Sequence, residues 1–172
     1  IKRKKIKTII YDNIEAVSSK FIISDIIINI NPTINKKDYK IRSLNEKTKI
    51  FTGLKYALVK KNKLNKLKKK YFFLVVLGGG NNLKIFERII SELENNFKNK
   101  KILIILGFKN KNLKIKKKLI NNYIIKNNVK NLNLLMERSK NILCSGGTVL
   151  LESIMHKLSR NVIITSNNQK KK

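Results

Sequence analysis

Residues 142–152, Ile-Leu-Cys-Ser-Gly-Gly-Thr-Val-Leu-Leu-Glu, have the types and spacing that suit one kind of chemistry, the seating of a nucleotide diphosphate. An apolar strand runs into a Gly-Gly turn and then into a helix with an acid in its first turns. Gly146 and Gly147 carry no β-carbon, so the backbone can bend sharply and approach a ligand closely. Free N–H groups opening the next helix attract phosphate oxygens. Thr148 is a residue suited to cap that helix. Glu152 follows about one turn later, where a carboxylate accepts hydrogen bonds from hydroxyls such as those of a ribose. The same pattern also serves as a plain connector between strand and helix, and the motif alone does not choose between the two.

A second glycine cluster, Gly78-Gly79-Gly80 followed by Asn81 and Asn82, breaks an apolar run at residues 71–77. That run does not alternate, the mark of a strand buried on both faces. Beyond it Leu83, Phe86, Ile89, Ile90, Leu93 and Phe97 recur at intervals of three and four, which predicts an amphipathic helix. A strand at 101–106 follows, with Gly107 as its stop, then a helix over 113–127 and a short strand near Val129. A short helix at 132–139, a strand at 141–144, a helix at 149–158 and a last strand at 161–165 complete the pattern. Strands alternating with helices of this length predict an α/β fold with a parallel sheet and flanking helices. Ligands in such sheets sit at the carboxyl ends of the strands, where both glycine clusters fall.

Earlier in the chain, residues 8–11 form a short β-prone run ending in Asp12-Asn13, and residues 21–30 hold a second apolar run before Pro32. Residues 33–49 are polar and without clear period, so they read as a linker between two units.

Composition excludes several classes of function. Cys144 and His156 are the only cysteine and histidine, which leaves no disulfide framework and no metal site of the Cys/His kind, and a Ser-His-Asp triad would have to use this one imidazole. No apolar run reaches the ~18 residues of a membrane span. Forty Lys and Arg against ten Asp and Glu give a formal charge of +30, the usual footprint of a nucleic-acid or anionic-membrane partner. Here the composition discounts that reading. Lys, Asn and Ile make up 87 of 172 residues while Gly, Ala, Pro and Arg total 15, the skew of an AT-rich gene. Arg, the residue best fitted to bidentate phosphate and base recognition, occurs five times. The lysine runs at 60–70 and 109–118 are expected to be solvated faces. Cys144 is expected to pack as a small apolar residue, His156 to be a helix-end cation or surface residue, and Tyr56 a core aromatic. Phe72 and Phe73 lie in a buried run and are not stacking platforms.

In order along the chain, the motifs resemble those of the UDP-sugar hydrolases of pseudaminic acid biosynthesis, which share the two-Rossmann-domain architecture of the lipid II-forming glycosyltransferases. Gly53-Leu54-Lys55-Tyr56-Ala57-Leu58-Val59-Lys60 resembles the family's Gly-Pro-Arg-Tyr-Ala-Leu-Leu-Arg. Residues 77–81 resemble its Phe-Gly-Gly-Ser-Asp loop, with Gly80 and Asn81 in place of Ser-Asp. Residues 145–152 resemble its Gly-Gly-Ser-Thr helix with a Glu, and Asn168-Gln169 its Asp-Asn-Gln. Upstream, residues 8–12 resemble the Ile-Asp-Asp strand of the first domain and residues 25–31 its Asp-Leu-Leu-Leu-Asn-Gln stretch.

The resemblance implies the carboxyl-terminal end of a first Rossmann domain and a linker over 1–50, and a UDP-binding Rossmann-like domain, half of a GT-B fold, over 51–172. It implies a metal-independent, cofactor-free hydrolysis of a UDP-linked 2,4-diacetamido-2,4,6-trideoxyhexose to UDP and free sugar, in a cytoplasmic monomer without a specific nucleic-acid partner. By this match Gly78, Gly79, Gly80, Asn81, Ser145, Gly146, Gly147 and Thr148 hold the pyrophosphate, Glu152 takes the ribose hydroxyls, and Asn168 with Gln169 faces the sugar. The family's catalytic His belongs to a Gly-x-Gly-His near its amino terminus that this chain does not contain. A chain opening on Ile1 and closing on Lys170-Lys171-Lys172 therefore reads as an inactive piece of a longer enzyme. Two other functions stay open: a GT-B glycosyltransferase using a UDP-sugar, and a basic RNA- or ribosome-associated protein of an AT-rich genome.

Overall fold

A computed structural model describes residues 7–12, 24–31, 33–40, 47–59, 67–80, 82–110, 120–165 and 169. The chain divides into two compact units, with the boundary after Leu58.

The smaller unit has three parallel strands, β1 (Ile9–Tyr11), β2 (Ile26–Asn29) and β3 (Lys49–Thr52), in that order across the sheet, and a short helix α1 (Lys36–Lys40). Ile10, Ile27 and Ile50 stand in register, and Ile27 is fully buried against Tyr39. The linker expected at 33–49 is instead partly structured, because α1 supplies Tyr39 to the core and Lys49 begins a strand paired to β2. The β-prone run just after it, Ile50-Phe51-Thr52, finds a parallel partner in Ile27-Ile28-Asn29.

The larger unit is an α/β, Rossmann-like layer structure. Its five strands are β4 (Tyr71–Val76), β5 (Lys101–Leu106), β6 (Asn122–Asn127), β7 (Ser139–Ser145) and β8 (Ser159–Ile163). All pair in parallel, in the order β6-β5-β4-β7-β8. Helix α2 (Leu83–Asn96) covers one face, packing Phe86, Ile89, Ile90 and Leu93 on Phe73, Val75, Ile102 and Ile104. Helices α3 (Leu132–Glu137) and α4 (Thr148–Ile154) lie on the other, against Leu74, Val76, Leu103 and Ile142. The central strands β4 and β5 are buried on both faces, which accounts for their unbroken apolar runs. The chain leaves β4 through a helix on one face and β7 through a helix on the other. Their carboxyl ends therefore flank the point where the strand order reverses, the place such sheets leave open for ligands.

Several elements differ from expectation, and the short strand expected near Val129 does not form there, β6 ending at Asn127. The helix expected over 113–127 is a strand over its last six residues, β6, because Asn122 to Asn127 pair one for one with Lys101 to Leu106; residues 111–119 lie outside those described. The start of β6 is hooked to the end of α2. The Glu94 carboxylate accepts from the N–H groups of Ile120 (2.7 Å) and Asn121 (3.1 Å), and from the Tyr123 hydroxyl at 3.0 Å. The Asn121 amide donates to the Leu93 and Phe97 carbonyls. Helix α4 ends at Ile154 and not at 158, since the Arg160 guanidinium takes up the carbonyls of Ser153, Ile154 and His156. The last strand accordingly begins at Ser159, two residues earlier than expected.

Candidate functional site

The seven glycines of this glycine-poor chain occupy one kind of place. Gly53 follows β3, Gly78 to Gly80 follow β4, Gly107 follows β5, and Gly146 with Gly147 follow β7, each at the carboxyl end of a parallel strand. In the larger unit the two glycine loops predicted to hold a diphosphate come together at the β4/β7 boundary, because Val76 pairs with Cys144 two residues before the first glycine of each loop.

Gly78 has φ 78°, the left-handed region that glycine tolerates without cost. A β-carbon built on it would lie 3.8 Å from Ser145 Oγ, and one on Gly147 would lie at the same distance from that oxygen. Ser145 thus stands between the two loops. Its residue is 6% exposed, and its hydroxyl makes no hydrogen bond among the described residues. Gly79 and Gly80 are exposed, and a β-carbon on Gly79 would meet nothing within 4 Å. Behind them the buried Asn82 braces the loop by donating from Nδ2 to the Leu77 carbonyl at 3.1 Å.

On the β7 side the turn is fastened by Gln169. Its Oε1 accepts from the N–H of Gly146 (3.3 Å), and from the N–H (3.0 Å) and hydroxyl (3.3 Å) of Thr165 just beyond β8. Gln169, expected to face a sugar, is therefore in contact with the Gly146 turn. Asn168 and Asn81 lie outside the described residues. Thr148 is not the helix cap. Gly147 occupies that position in extended conformation with no side-chain cap bond, and Thr148 is the first helical residue, exposed. Glu152, half-buried on α4, makes no side-chain hydrogen bond among the described residues, which leaves its carboxylate able to accept from hydroxyls.

Cys144 is fully buried, and burial pushes its thiol up to about 11, against a smaller opposing pull from Arg160. That is the inert state of a packing residue. His156 departs from expectation: it is neither a surface group nor a helix-end cation. It is 3% exposed beyond the end of α4, with Nε2 2.9 Å from Asn133 Oδ1. Burial lowers its pKa, opposed in part by Glu137 and aided by Lys69 and Arg160, so the ring is held neutral. Tyr56 rests on Phe51 with ring centroids 5.4 Å apart, within the smaller unit. Phe72 and Phe73 pack on Phe97.

Among the described residues no three His, Cys, Asp or Glu side chains gather as a metal site, and no helix is long and apolar enough to cross a membrane. No protein-family model matches the chain, and no curated protein matches it.

Gly107, Thr165 and Asn82 complete the surroundings of the two loops, and the sequence reading gave none of them a role there. The signal available for Gly107 was its type: one of only seven glycines in the chain, placed at a strand end.

Proposed function

We propose that residues 59–170 are the nucleotide-binding domain of an enzyme acting on a UDP-sugar, and that its reaction is hydrolysis to UDP and the free sugar. The observation that carries this reading is the meeting of the Gly78–Gly79–Gly80 loop and the Ser145–Gly146–Gly147 turn where the strand order reverses. Two backbones without β-carbons can close on a diphosphate from both sides, each offering N–H donors, with the Ser145 hydroxyl between them.

Helix α4 is only seven residues long, so its dipole is a minor contributor and the turn amides carry the binding. In the proposed reaction water attacks the anomeric carbon and releases a proton to solvent, the bond from that carbon to the β-phosphate oxygen breaks, and the negative charge that develops on UDP is held by these donors. Glu152, about one turn along α4, accepts from the ribose hydroxyls and orients the nucleoside. The site needs no metal in this scheme, since the N–H and O–H donors meet the leaving-group charge. The motif resemblance to UDP-sugar hydrolases supports the choice of uridine and of water as acceptor. Transfer of the sugar to another acceptor would use the same diphosphate seat.

A thermal shift with UDP and with RNA, each at low and physiological salt, tests the proposal. Protection by UDP at physiological salt supports it. Protection by RNA alone, persisting as salt is raised, would make the basic surface the functional one and refute it.

A further inference from the structure

Gly107 stops β5, and it has the closest backbone approach of any glycine in the chain. A β-carbon there would lie 2.3 Å from the Gly78 carbonyl oxygen, 2.7 Å from Gly79 Cα and 2.9 Å from the Gly78 carbonyl carbon. All three atoms are backbone, which cannot swing aside as the tip of a long side chain can. The Gly78–Gly79 peptide therefore lies directly on the α-carbon of Gly107, in space only a glycine leaves empty.

The identity of the nearest atoms gives the orientation of that peptide. No cis peptide occurs among the described residues, and in a planar trans peptide the carbonyl oxygen and the following α-carbon share one edge while the N–H lies on the opposite edge. The Gly78 oxygen and Gly79 Cα are the two atoms nearest Gly107, so this edge faces β5. The Gly79 N–H then points away from β5. Strand β4 has β5 on one side and β7 on the other, and Gly78 stands beside Ser145 Oγ on the β7 side. Gly79 donates to no group among the described residues.

We infer that Gly107 is a positioning residue for the diphosphate seat: by admitting the Gly78–Gly79 peptide against β5, it turns the Gly79 N–H into the β4/β7 crevice as a donor to phosphate oxygen. The inference rests on the diphosphate reading above and adds a residue remote from the ligand. An alanine at 107 would force the peptide to shift or rotate, and the donor would be lost without removal of any group that touches the ligand.

The test is a titration of ¹⁵N-labelled protein with inorganic pyrophosphate and with UDP, following backbone amides in wild type and in Gly107→Ala. In wild type the Gly79 amide is expected to move along with those of residues 145–148. In Gly107→Ala, UDP affinity is expected to fall at least tenfold and the Gly79 response to vanish, while the amides of β6 and α3 keep their ligand-free positions. Affinity equal to wild type in Gly107→Ala would overturn the inference. So would a silent Gly79 amide in wild type while residues 145–148 respond, an observation that stands even if the variant does not fold. Silence of every amide in wild type would instead overturn the diphosphate reading itself.

Discussion

Gln169 places its amide oxygen on the N–H of Gly146, 3.3 Å away, and on both donors of Thr165. One side chain thus ties the turn after β7 to the chain after β8, and the walls of the proposed seat are held before any ligand arrives. Gln169→Ala removes that tie. It is expected to cost about 1–2 kcal/mol of stability in urea unfolding and to weaken UDP several-fold, because the turn must then be ordered at the expense of binding. Unchanged stability and affinity would show the contact to be incidental.

On the proposed reading, Glu152 separates nucleoside from phosphate recognition. Glu152→Gln keeps size and polarity but removes the charge that strengthens hydrogen bonds from ribose hydroxyls, a difference of about 1–1.5 kcal/mol for each of the two bonds. Calorimetry is expected to show UDP binding about ten- to a hundredfold weaker and pyrophosphate binding unchanged. Equal losses for both ligands would place Glu152 in a structural role.

Much of the larger unit was legible in the sequence because single-element signals were strong there. Tyr71 to Val76 and Lys101 to Leu106 are apolar without alternation, and α2 repeats its apolar residues at three and four. The missed elements depend on partners far away in sequence. In β6, Tyr123, Ile124 and Ile125 fit a helix pattern as well as a strand, and the ladder to β5 with the Glu94 and Asn121 hydrogen bonds decides the matter. Helix α4 is cut short by Arg160, six residues past its last turn. At the site, glycine type and strand-end position were readable, so the two loops were found. The steric role of Gly107 was not, since it exists only when β4 and β5 lie side by side.

His156 gives the larger unit a pH dependence. Its folded pKa is lowered, chiefly by burial, below the ordinary 6.5, so the unfolded chain binds this proton more readily than the folded one. Stability is then constant above about 6.5, falls as pH drops through that value, and levels off below the folded pKa. Denaturation midpoints measured between about pH 7 and pH 5 are expected to decline in wild type and to decline less in His156→Gln. Parallel profiles would contradict a buried neutral imidazole.

Glu94 acts in the same direction at lower pH. Partial burial raises its pKa, but hydrogen bonds from the Ile120 and Asn121 N–H groups and the Tyr123 hydroxyl outweigh this, and the net shift is downward from 4.5. Its contribution is present above that value and is lost as pH falls through the folded pKa. Glu94→Ala is expected to cost about 1–2 kcal/mol at neutral pH, much less in acid, and to raise hydrogen exchange at Ile120 and Asn121. Protection of those amides equal to wild type would show that the carboxylate does not hold β6 to α2.

The most direct measurement is a calorimetric titration of the protein with UDP at physiological salt, paired with its melting temperature. One-site binding is predicted, with an upward shift in melting that grows with UDP and reaches about 2.7 kcal/mol of added stability at a hundred times the dissociation constant. No heat and no shift with UDP, beside firm salt-resistant binding of RNA, would contradict the nucleotide site at the β4/β7 boundary.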